Sequence, residues 1–307
     1  MLPDVPVQVA ERARDVASGA DLVLSVGGGS TTGTAKAVAL TTGVPIVAVP
    51  TTYAGSEVTP VWGVTEGSVK TTGADPRVLP RTVIYDPDLT LTLPAAVSVA
   101  SGLNAMAHCV EAFWAPRRNP VSSAVAEDGI RHLAAGLPAI VADLADRGAR
   151  ADLLLGAYLA GSAFAGAGSG LHHKICHVLG GAFDLPHAQT HAIVLPHVLA
   201  FNAPGDPGAV SRIASALGRP DPIGGLQELA EELGLPAGLR EVGLRGSDLD
   251  DVLDDILAIV PADNPRPVTA SGLRMLLQAA WNGTAPGTGR HEQGARCRSR
   301  PRADGDR

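Results

Sequence analysis

Residues 22–52 read LVLSVGGGSTTGTAKAVALTTGVPIVAVPTT, and this stretch decides the fold class. The apolar runs Leu22–Val26 and Val44–Val49 have the length and composition of strands that are buried on both faces of a parallel sheet. Between them, three glycines open a turn, and a helical segment follows that ends at Gly43. This order of strand, glycine-rich turn, helix and strand predicts an α/β domain with a doubly wound parallel sheet.

The regions on either side of this stretch differ in character. Residues 6–19 predict an amphipathic helix, and residues 57–88 predict a mixed β segment whose last strand is Thr82–Tyr85. After Pro94 the pattern changes to consecutive helices separated by Gly and Pro. We therefore predict three parts: a partial dinucleotide-binding α/β domain over residues 1–90, an all-helical domain over 91–282, and a disordered, arginine-rich tail over 283–307.

The composition is that of a compact chain, because apolar residues make up 45% and charged residues 18% of the 307 residues. The net charge of −7 argues against nucleic acids and acidic membranes as partners. The three cysteines lack a metal-binding spacing, the N-terminus lacks a signal-peptide pattern, and no apolar run reaches the roughly 18–20 residues of a membrane helix. We therefore expect a cytoplasmic protein with reduced thiols.

The turn GGGS at residues 27–30 is a candidate phosphate-binding site. Backbone N–H groups at the start of a helix attract a phosphate, and glycines let a pyrophosphate approach closely. Thr51 and Thr52 follow the next strand, so their hydroxyls would lie at the same carboxyl edge of the sheet, where such sheets bind ligands. Each motif also has a purely structural interpretation. The glycines can simply form a turn that connects two elements, and the threonines can form a turn closed by a side-chain hydroxyl.

Histidine is concentrated in one segment, where six of the nine histidines fall between residues 172 and 197. His173 and His177 are four residues apart on a predicted helix and therefore share a face, as do Asn104 and His108 upstream. Two side chains one helical turn apart can hold one metal ion. We expect at least three histidines of the dense segment to line an active site. The histidines interpreted as structural or solvent-exposed are His132, His197 and His291.

Together these motifs resemble the iron-containing alcohol dehydrogenase superfamily from about residue 5 to residue 282. The matching segments are VGGGSTTGTAK, VPTTYAGSEVTPVWGVTE, NAMAHCVEA and HHKICHVLGGAFDLPHAQTHAIVLPH. Two segments, KTTGADPRVLPRTVIYDPDL and LHHKICHVLGG, are similar to the maleylacetate reductases within that superfamily. The resemblance implies a nucleotide domain, a helical domain and an active site in the cleft between them, in a homodimer. It also implies an oxidoreductase that reduces maleylacetate to 3-oxoadipate with NADH or NADPH during the breakdown of aromatic compounds.

The resemblance further implies which residues form the site. The residues implied to hold the dinucleotide are Gly27, Gly28, Gly29, Ser30, Thr51, Thr52 and Ser56, with Lys70 near the ribose of the nicotinamide. The positions that bind Fe²⁺ or Zn²⁺ in metal-dependent relatives are Asn104, His108, His173 and His187 here. His177 matches a histidine near the nicotinamide ring.

Three departures from the family pattern bear on function. Asn104 replaces the aspartate ligand, and because a neutral amide binds a divalent cation more weakly, we expect weak or no metal binding. Gly33 stands where other members carry an aspartate inside the glycine turn. The family's first strand–helix–strand unit, with the residue that reads the adenosine ribose, is missing from this sequence. We therefore expect an open apolar sheet edge and no sequence signal that distinguishes NADH from NADPH.

Reduction of maleylacetate requires cations for two carboxylates, a donor for the enolate oxygen and a proton source. The predicted anchoring and enolate-stabilising residues are His108, His173 and His187 beside Asn104, the predicted proton donor is His177, and the predicted cations are Lys174 and Lys70. Two alternatives stay open at this point. One is a metal-dependent alcohol dehydrogenase of the same superfamily, and the other is an inactive, truncated remnant.

Overall fold

The chain folds into an α/β sheet region followed by a helical region, and this computed structural model describes residues 5–66 and 69–286, with only the backbone at residues 69 and 70. The strands are β1 Val23–Gly27, β2 Ile46–Pro50, β3 Val61–Glu66, β4 Val69–Ala74 and β5 Thr82–Val83. The helices are α1 Val7–Val16, α2 Gly29–Thr42, α3 Ala95–Glu111, α4 Pro120–Ala142, α5 Arg147–Ala167, α6 Leu171–Phe183, α7 His187–Asn202, α8 Pro207–Leu217, α9 Pro222–Glu232, α10 Asp248–Asp251, α11 Leu253–Ile259 and α12 Ala270–Asn282. Residues 287–307, most of the predicted tail, lie outside the described residues.

The glycine-rich stretch forms the predicted parallel sheet. β1 pairs with β2 along its whole length, and β2 pairs on its other side with β5. Helix α2 begins at Gly29, directly after the turn, and Gly43 caps its end with a left-handed φ of 73°, as predicted. The strand predicted at Thr82–Tyr85 is shorter than expected, because the strand proper ends at Val83. β3 and β4 form a separate antiparallel hairpin.

One face of β1 is exposed, so the prediction of a strand buried on both faces was wrong. Leu22, Leu24 and Val26 are 48%, 61% and 51% exposed, whereas Ser25 on the opposite face is buried. Helix α2 covers that opposite face, and β1 is one of the two edge strands in the described sheet order β1-β2-β5. An apolar run predicts a strand, but its burial depends on which other elements cover each face.

The helical region contains two apolar cores. The larger core gathers α3, α4, α5, α8 and α9 and includes the fully buried Leu137 and Leu153. The second gathers α6, α11 and α12 and includes the fully buried Leu179 and Leu277. Helix α7 contributes residues to both cores, so the histidine-bearing helices α3, α6 and α7 meet where the two cores adjoin.

A buried arginine connects the sheet region to the helices. Arg150 of α5 donates hydrogen bonds to the hydroxyl of Tyr53, which follows β2, at 3.0 Å and to Oγ of Ser98 in α3 at 3.2 Å. It also donates to the carbonyl oxygen of Leu144 at 2.9 Å. Because a buried guanidinium must satisfy its N–H groups, these bonds hold the carboxyl end of β2 against α3.

Within the described residues, no single helix is long and apolar enough to cross a membrane. Helices α5 and α6 meet the length and composition criteria only as a pair, and that pair is bent by 101°. Their buried apolar side chains belong to the two cores described above.

Candidate active site

The glycine turn and the threonine pair meet at the carboxyl edge of the sheet. The backbone N–H of Thr51 donates to the carbonyl oxygen of Gly27 at 3.0 Å, which joins the two segments. Gly27 has a φ of 152°, and a Cβ added to Gly28 would lie only 2.9 Å from Cγ2 of Thr52. Both positions therefore require glycine. The result is a cradle without side chains at the N-terminus of α2, which fits the pyrophosphate of a dinucleotide.

Lys36 of α2 supports this edge from inside the protein. Its buried Nζ donates to the carbonyl oxygens of Ser56, Thr59 and Val61 at 2.6, 2.8 and 2.8 Å, and to Oγ1 of Thr59 at 3.0 Å. Burial lowers the pKa of Lys36 to about 7, although the nearby Glu57 opposes the shift. The side chain thus fixes the segment after the threonine pair, and Ser56, a predicted cofactor contact, lies against it. The side chain of Lys70 lies outside the described residues.

The predicted histidines converge from three helices. We define the histidine cluster as His108 of α3, His173 and His177 of α6, and His187 and His191 of α7. The rings of His108 and His173 stack with centroids 4.7 Å apart, and those of His187 and His191 lie 4.1 Å apart. His173 links the two pairs, since its ring centroid lies 5.1 Å from that of His191 and 6.0 Å from that of His177. The structure thus brings together histidines that the sequence separates widely.

Glu111, at the end of α3, lies behind His173 and was not predicted. Its Oε2 lies 2.5 Å from Nδ1 of His173, and its Oε1 accepts hydrogen bonds from the backbone N–H groups of His172 and His173 at 2.6 and 3.3 Å. Both side chains are buried, at 1% and 2% exposure for Glu111 and His173. In the sequence, Glu111 stands three residues after His108 in NAMAHCVEA, which places it one turn along the same helix, but nothing local indicates its pairing with α6.

A second, unpredicted group of fully buried side chains joins His191 of the cluster to His172 and Cys176. Nε2 of His172 lies 2.9 Å from Nδ1 of His191, and Sγ of Cys176 lies 3.7 Å from Nε2 of His172. Three potential ligand atoms of these residues lie within 4.8 Å of one another. The contact between the two imidazole nitrogens has the length of a hydrogen bond, so the group connects α6 to α7 directly.

Comparison with known proteins decides the family. The sequence profile described as "Iron-containing alcohol dehydrogenase" matches residues 1–87, and the profile "Fe-containing alcohol dehydrogenase family, C-terminal" matches residues 98–281. The chain belongs to the iron-containing alcohol dehydrogenase family. The fold expected from the resemblance, a parallel-sheet region followed by a helical region, is therefore confirmed.

Within the iron-containing alcohol dehydrogenase family, the chain is similar to maleylacetate reductases. It is 50% identical to the maleylacetate reductase of Burkholderia cepacia over 284 residues, and 51% identical to that of Sphingobium indicum over 285 residues. Each alignment covers 92% of this chain and 80% of the relative. Among solved structures, the maleylacetate reductase of Agrobacterium tumefaciens is 45% identical with a TM-score of 0.88, covering 92% of this chain and 81% of that one. An iron-containing alcohol dehydrogenase of Corynebacterium glutamicum is 56% identical with the same TM-score, covering 91% and 79%.

The family name implies a bound iron ion. Whether this chain can hold one depends on the ligand atoms that Asn104, His108, His173 and His187 offer. The implied positions offer an amide oxygen and imidazole nitrogens, and none of them carries an anionic oxygen. The carboxylate of Glu111 supplies no anionic ligand to this set, because its oxygens contact Nδ1 of His173 and the backbone N–H groups of His172 and His173. Oδ1 of Asn104, Nδ1 of His108 and Nε2 of His173 are buried and lack hydrogen-bond partners among the described residues. An all-neutral set of this kind does not fit a tightly held Fe²⁺, and its unpaired atoms are available to polar groups of a substrate.

Burial keeps the rings of His108, His173, His187 and His191 uncharged at neutral pH. It lowers the pKa of His108, His173 and His191 well below the usual value, and the neighbouring histidines add to the shift. Burial likewise lowers the pKa of His187 to about 2. The neutral rings can offer or accept hydrogen bonds, but they carry no positive charge. His177, the predicted proton donor, is exposed, and Lys174, a predicted cation, is half-buried.

Proposed function

We propose that this chain reduces the C=C bond of maleylacetate to form 3-oxoadipate, with NADH or NADPH as the hydride source. The observation that carries the proposal is a cluster of imidazoles from three helices with an amide at position 104, in a chain 50% identical to a maleylacetate reductase. Such a set can bind the anionic oxygens of a dicarboxylate without an ion to bridge them. The cradle at the glycine turn supports dinucleotide binding, because its backbone N–H groups are open to a pyrophosphate.

The substrate carries a C=C bond conjugated to a ketone, between two carboxylates. The nicotinamide, when bound, supplies a hydride. Addition of the hydride to the carbon β to the ketone moves the π electrons of the C=C bond toward the ketone oxygen and gives an enolate. A proton must then reach the α carbon. The protein therefore has to hold two carboxylates, stabilise one developing oxyanion and deliver one proton.

In this proposal the histidine cluster divides these tasks. His108, His173 and His187 anchor the substrate and stabilise the enolate oxygen, and the low exposure of His173 and the partial burial of the other two strengthen these hydrogen bonds. His177 delivers the proton, and its exposure supports this role because it can be reprotonated from solvent. Lys174, at the start of the same helix α6, supplies a positive charge for a carboxylate.

Location and assembly belong to the same proposal. We place the enzyme in the cytoplasm as a homodimer. Cys109 and Cys176 support the location, because both are free and buried and are separated in the structure rather than paired in a disulfide.

Steady-state kinetics with two substrates test the reaction. Oxidation of NADH and of NADPH is followed at 340 nm with maleylacetate and with propanal, which lacks both carboxylates and the conjugated C=C bond. We expect kcat/KM for maleylacetate to exceed that for propanal at least about 100-fold, since the cluster stabilises an enolate in one case only. A preference for propanal would instead identify an ordinary aldehyde or alcohol dehydrogenase.

A further inference from the structure

Tyr53 lies where the sheet region meets the helices. It directly follows Thr51 and Thr52, the threonine pair at the carboxyl edge of the sheet, yet its fully buried ring belongs to the larger core of the helical region. The reaction described above makes no use of its hydroxyl. A side chain that leaves the sheet and enters the helical core connects the dinucleotide cradle to the helices.

Hydrogen bonds at both ends of Tyr53 join it to α3. Its backbone N–H donates to Oγ of Ser101 in α3 at 3.3 Å. Its hydroxyl accepts from the guanidinium of Arg150 at 3.0 Å, and the same nitrogen donates to Oγ of Ser98 in α3 at 3.2 Å. Because this guanidinium is fully buried and also bonded to the carbonyl oxygen of Leu144, it cannot follow a shift of Tyr53 without losing partners.

The face of α3 that receives these bonds also carries two residues of the candidate substrate site. Ser101, Asn104 and His108 follow one another at spacings of three and four residues, so they lie along one side of the helix. At a rise of 1.5 Å per residue, Ser101 and His108 are separated by about 10 Å along the helix axis. A continuous helix thus connects the contacts of Tyr53 to the histidine cluster.

A close backbone contact holds the same segment against α5. Gly55, two residues after Tyr53, has a φ of 70°, and a Cβ added to it would lie 2.7 Å from the carbonyl oxygen of Ala157. A Cβ added to Gly161 would in turn collide with the carbonyl oxygen of Gly55. The backbone therefore lies directly on α5, without side chains between them that could take up a displacement.

We infer that Tyr53 is a positioning residue: it fixes the threonine pair relative to the face of α3 that carries Asn104 and His108, and so sets the distance between dinucleotide and substrate. The inference rests on the proposed function, because it takes the threonine pair as a dinucleotide contact and the histidine cluster as the substrate site. The purely structural alternative is that Tyr53 only stabilises the helical core.

The distance matters because of the step that it governs. In the proposed reaction a hydride passes with its electron pair from NADH, which becomes NAD⁺, to the carbon β to the ketone, and a proton then completes the product. A displacement of about 1 Å between reacting groups can lower such a rate about 100-fold. A residue that contacts neither reactant can therefore control the rate through the segment that it holds.

Tyr53→Phe breaks the connection with little other change. The variant removes the hydroxyl and keeps the ring that fills the core. The guanidinium of Arg150 keeps its bonds to Ser98 and Leu144, so the bond to the segment after β2 is the one that is lost. Ser101→Ala is a second, milder variant, because it removes the longer bond from the backbone N–H of Tyr53.

Tyr85→Phe is the matched control. It also removes one tyrosine hydroxyl, whose hydrogen bond to Oε1 of Glu57 at 2.8 Å does not involve α3. Loss of one buried hydrogen bond should lower the thermal midpoint of both tyrosine variants to a similar extent. The control therefore separates an effect on stability from an effect on position.

The first readout does not require turnover. Backbone amide exchange is measured by mass spectrometry with and without NADH. In the wild type and in Tyr85→Phe, NADH should slow exchange both at residues 51–58 and in α3. In Tyr53→Phe, NADH should still slow exchange at residues 51–58 but should no longer affect α3, because the bond that transmits the response is absent.

The second readout is the rate of hydride transfer, measured in single turnovers at 340 nm with saturating NADH and maleylacetate. We expect this rate to fall about 10- to 100-fold in Tyr53→Phe, less in Ser101→Ala, and to stay within about twofold in Tyr85→Phe. KM for NADH should change much less than kcat. With NADH deuterated at C4, the isotope effect on kcat of Tyr53→Phe should be at least as large as that of the wild type, since hydride transfer limits the slower enzyme.

These results distinguish the possible explanations. A wild-type response of α3 to NADH in Tyr53→Phe, or a wild-type rate of hydride transfer with only a lower thermal midpoint, would overturn the inference. A higher KM for NADH with unchanged kcat would also overturn it, because Tyr53 would then serve binding and not distance. If the wild type does not reduce maleylacetate, the proposed reaction fails, and the exchange data alone decide whether Tyr53 connects the dinucleotide edge to α3.

Discussion

The glycine turn and the histidine cluster are built in opposite ways, although both belong to one predicted reaction. The turn is local and made of backbone: residues 27–30 form it, and Thr51 and Thr52 lie against it. The cluster is made of side chains from α3, α6 and α7. It also depends on Glu111 of α3, whose carboxylate contacts His173 on a different helix, far away in the sequence. A backbone site is sensitive to added volume, whereas a side-chain site is sensitive to lost chemistry and to burial.

The strongest test of this contrast removes one member of the cluster. His173→Ala should lower kcat/KM for maleylacetate at least about 100-fold, because the variant loses a group that acts on the enolate. The control is His132→Ala, since His132 lies outside the cluster and pairs with Asp152 at 3.0 Å. Its kcat/KM should stay within about twofold of the wild type. A near-wild-type value for His173→Ala would remove this residue from the site.

Burial of neutral histidines should also make the helical region sensitive to acid. His197 is 3% exposed, and burial lowers its pKa from 6.5 to about 4. The unfolded chain binds this proton below pH 6.5 and the folded chain does not, so stability is full above pH 6.5 and falls as the pH drops toward 4. At pH 5 the loss from His197 is about 2 kcal/mol.

The measurement is the free energy of unfolding in urea at pH 7 and pH 5, for the wild type and His197→Gln. The variant should lose about 2 kcal/mol less than the wild type between the two pH values, because it lacks this titrating group. An equal loss in both proteins would show that His197 is protonated in the folded state or is not buried.

Added volume should damage the glycine turn and little else. Gly28→Val adds methyl groups at the glycine turn, where an added Cβ already lies 2.9 Å from Cγ2 of Thr52. Because the added volume fills the space for the pyrophosphate, the variant should raise KM for NADH about tenfold while the fold is retained. The matched control is Gly208→Val at the start of α8, where the nearest atom to an added Cβ is 3.5 Å away. An unchanged KM for NADH in Gly28→Val would place the dinucleotide elsewhere.

The same contrast explains what the sequence could predict. Local signals predicted the sheet and the helix that ends at Gly43. They also predicted that the glycine turn meets the threonine pair, because each follows one of two strands that pair in parallel. The gathering of histidines was predicted from their density and helical spacing. Their individual neighbours were not, because the pairing of Glu111 with His173, or of His172 with His191, depends on how whole helices pack. The exposed face of β1 was missed for the same reason: an apolar run does not reveal what covers it.

The smallest effect is expected on that exposed face. Leu24→Ser should change the free energy of unfolding by less than about 0.5 kcal/mol, because the side chain is 61% exposed. Ile46→Ala, at the fully buried position of β2 that pairs with Val23, should cost at least about 2 kcal/mol. A large loss in Leu24→Ser would indicate that this face is covered in solution by another molecule or a second copy of the chain.

One assay decides whether the histidine cluster supports reduction of maleylacetate without a metal ion. Oxidation of NADH at 340 nm with freshly prepared maleylacetate is measured before and after dialysis against EDTA, with the metal content of both samples determined by mass spectrometry. We expect kcat/KM to be unchanged after dialysis, in protein that contains far less than one metal ion per chain. Loss of turnover that Fe²⁺ or Zn²⁺ restores would contradict it, and would mean that Asn104 and the three histidines hold an ion after all.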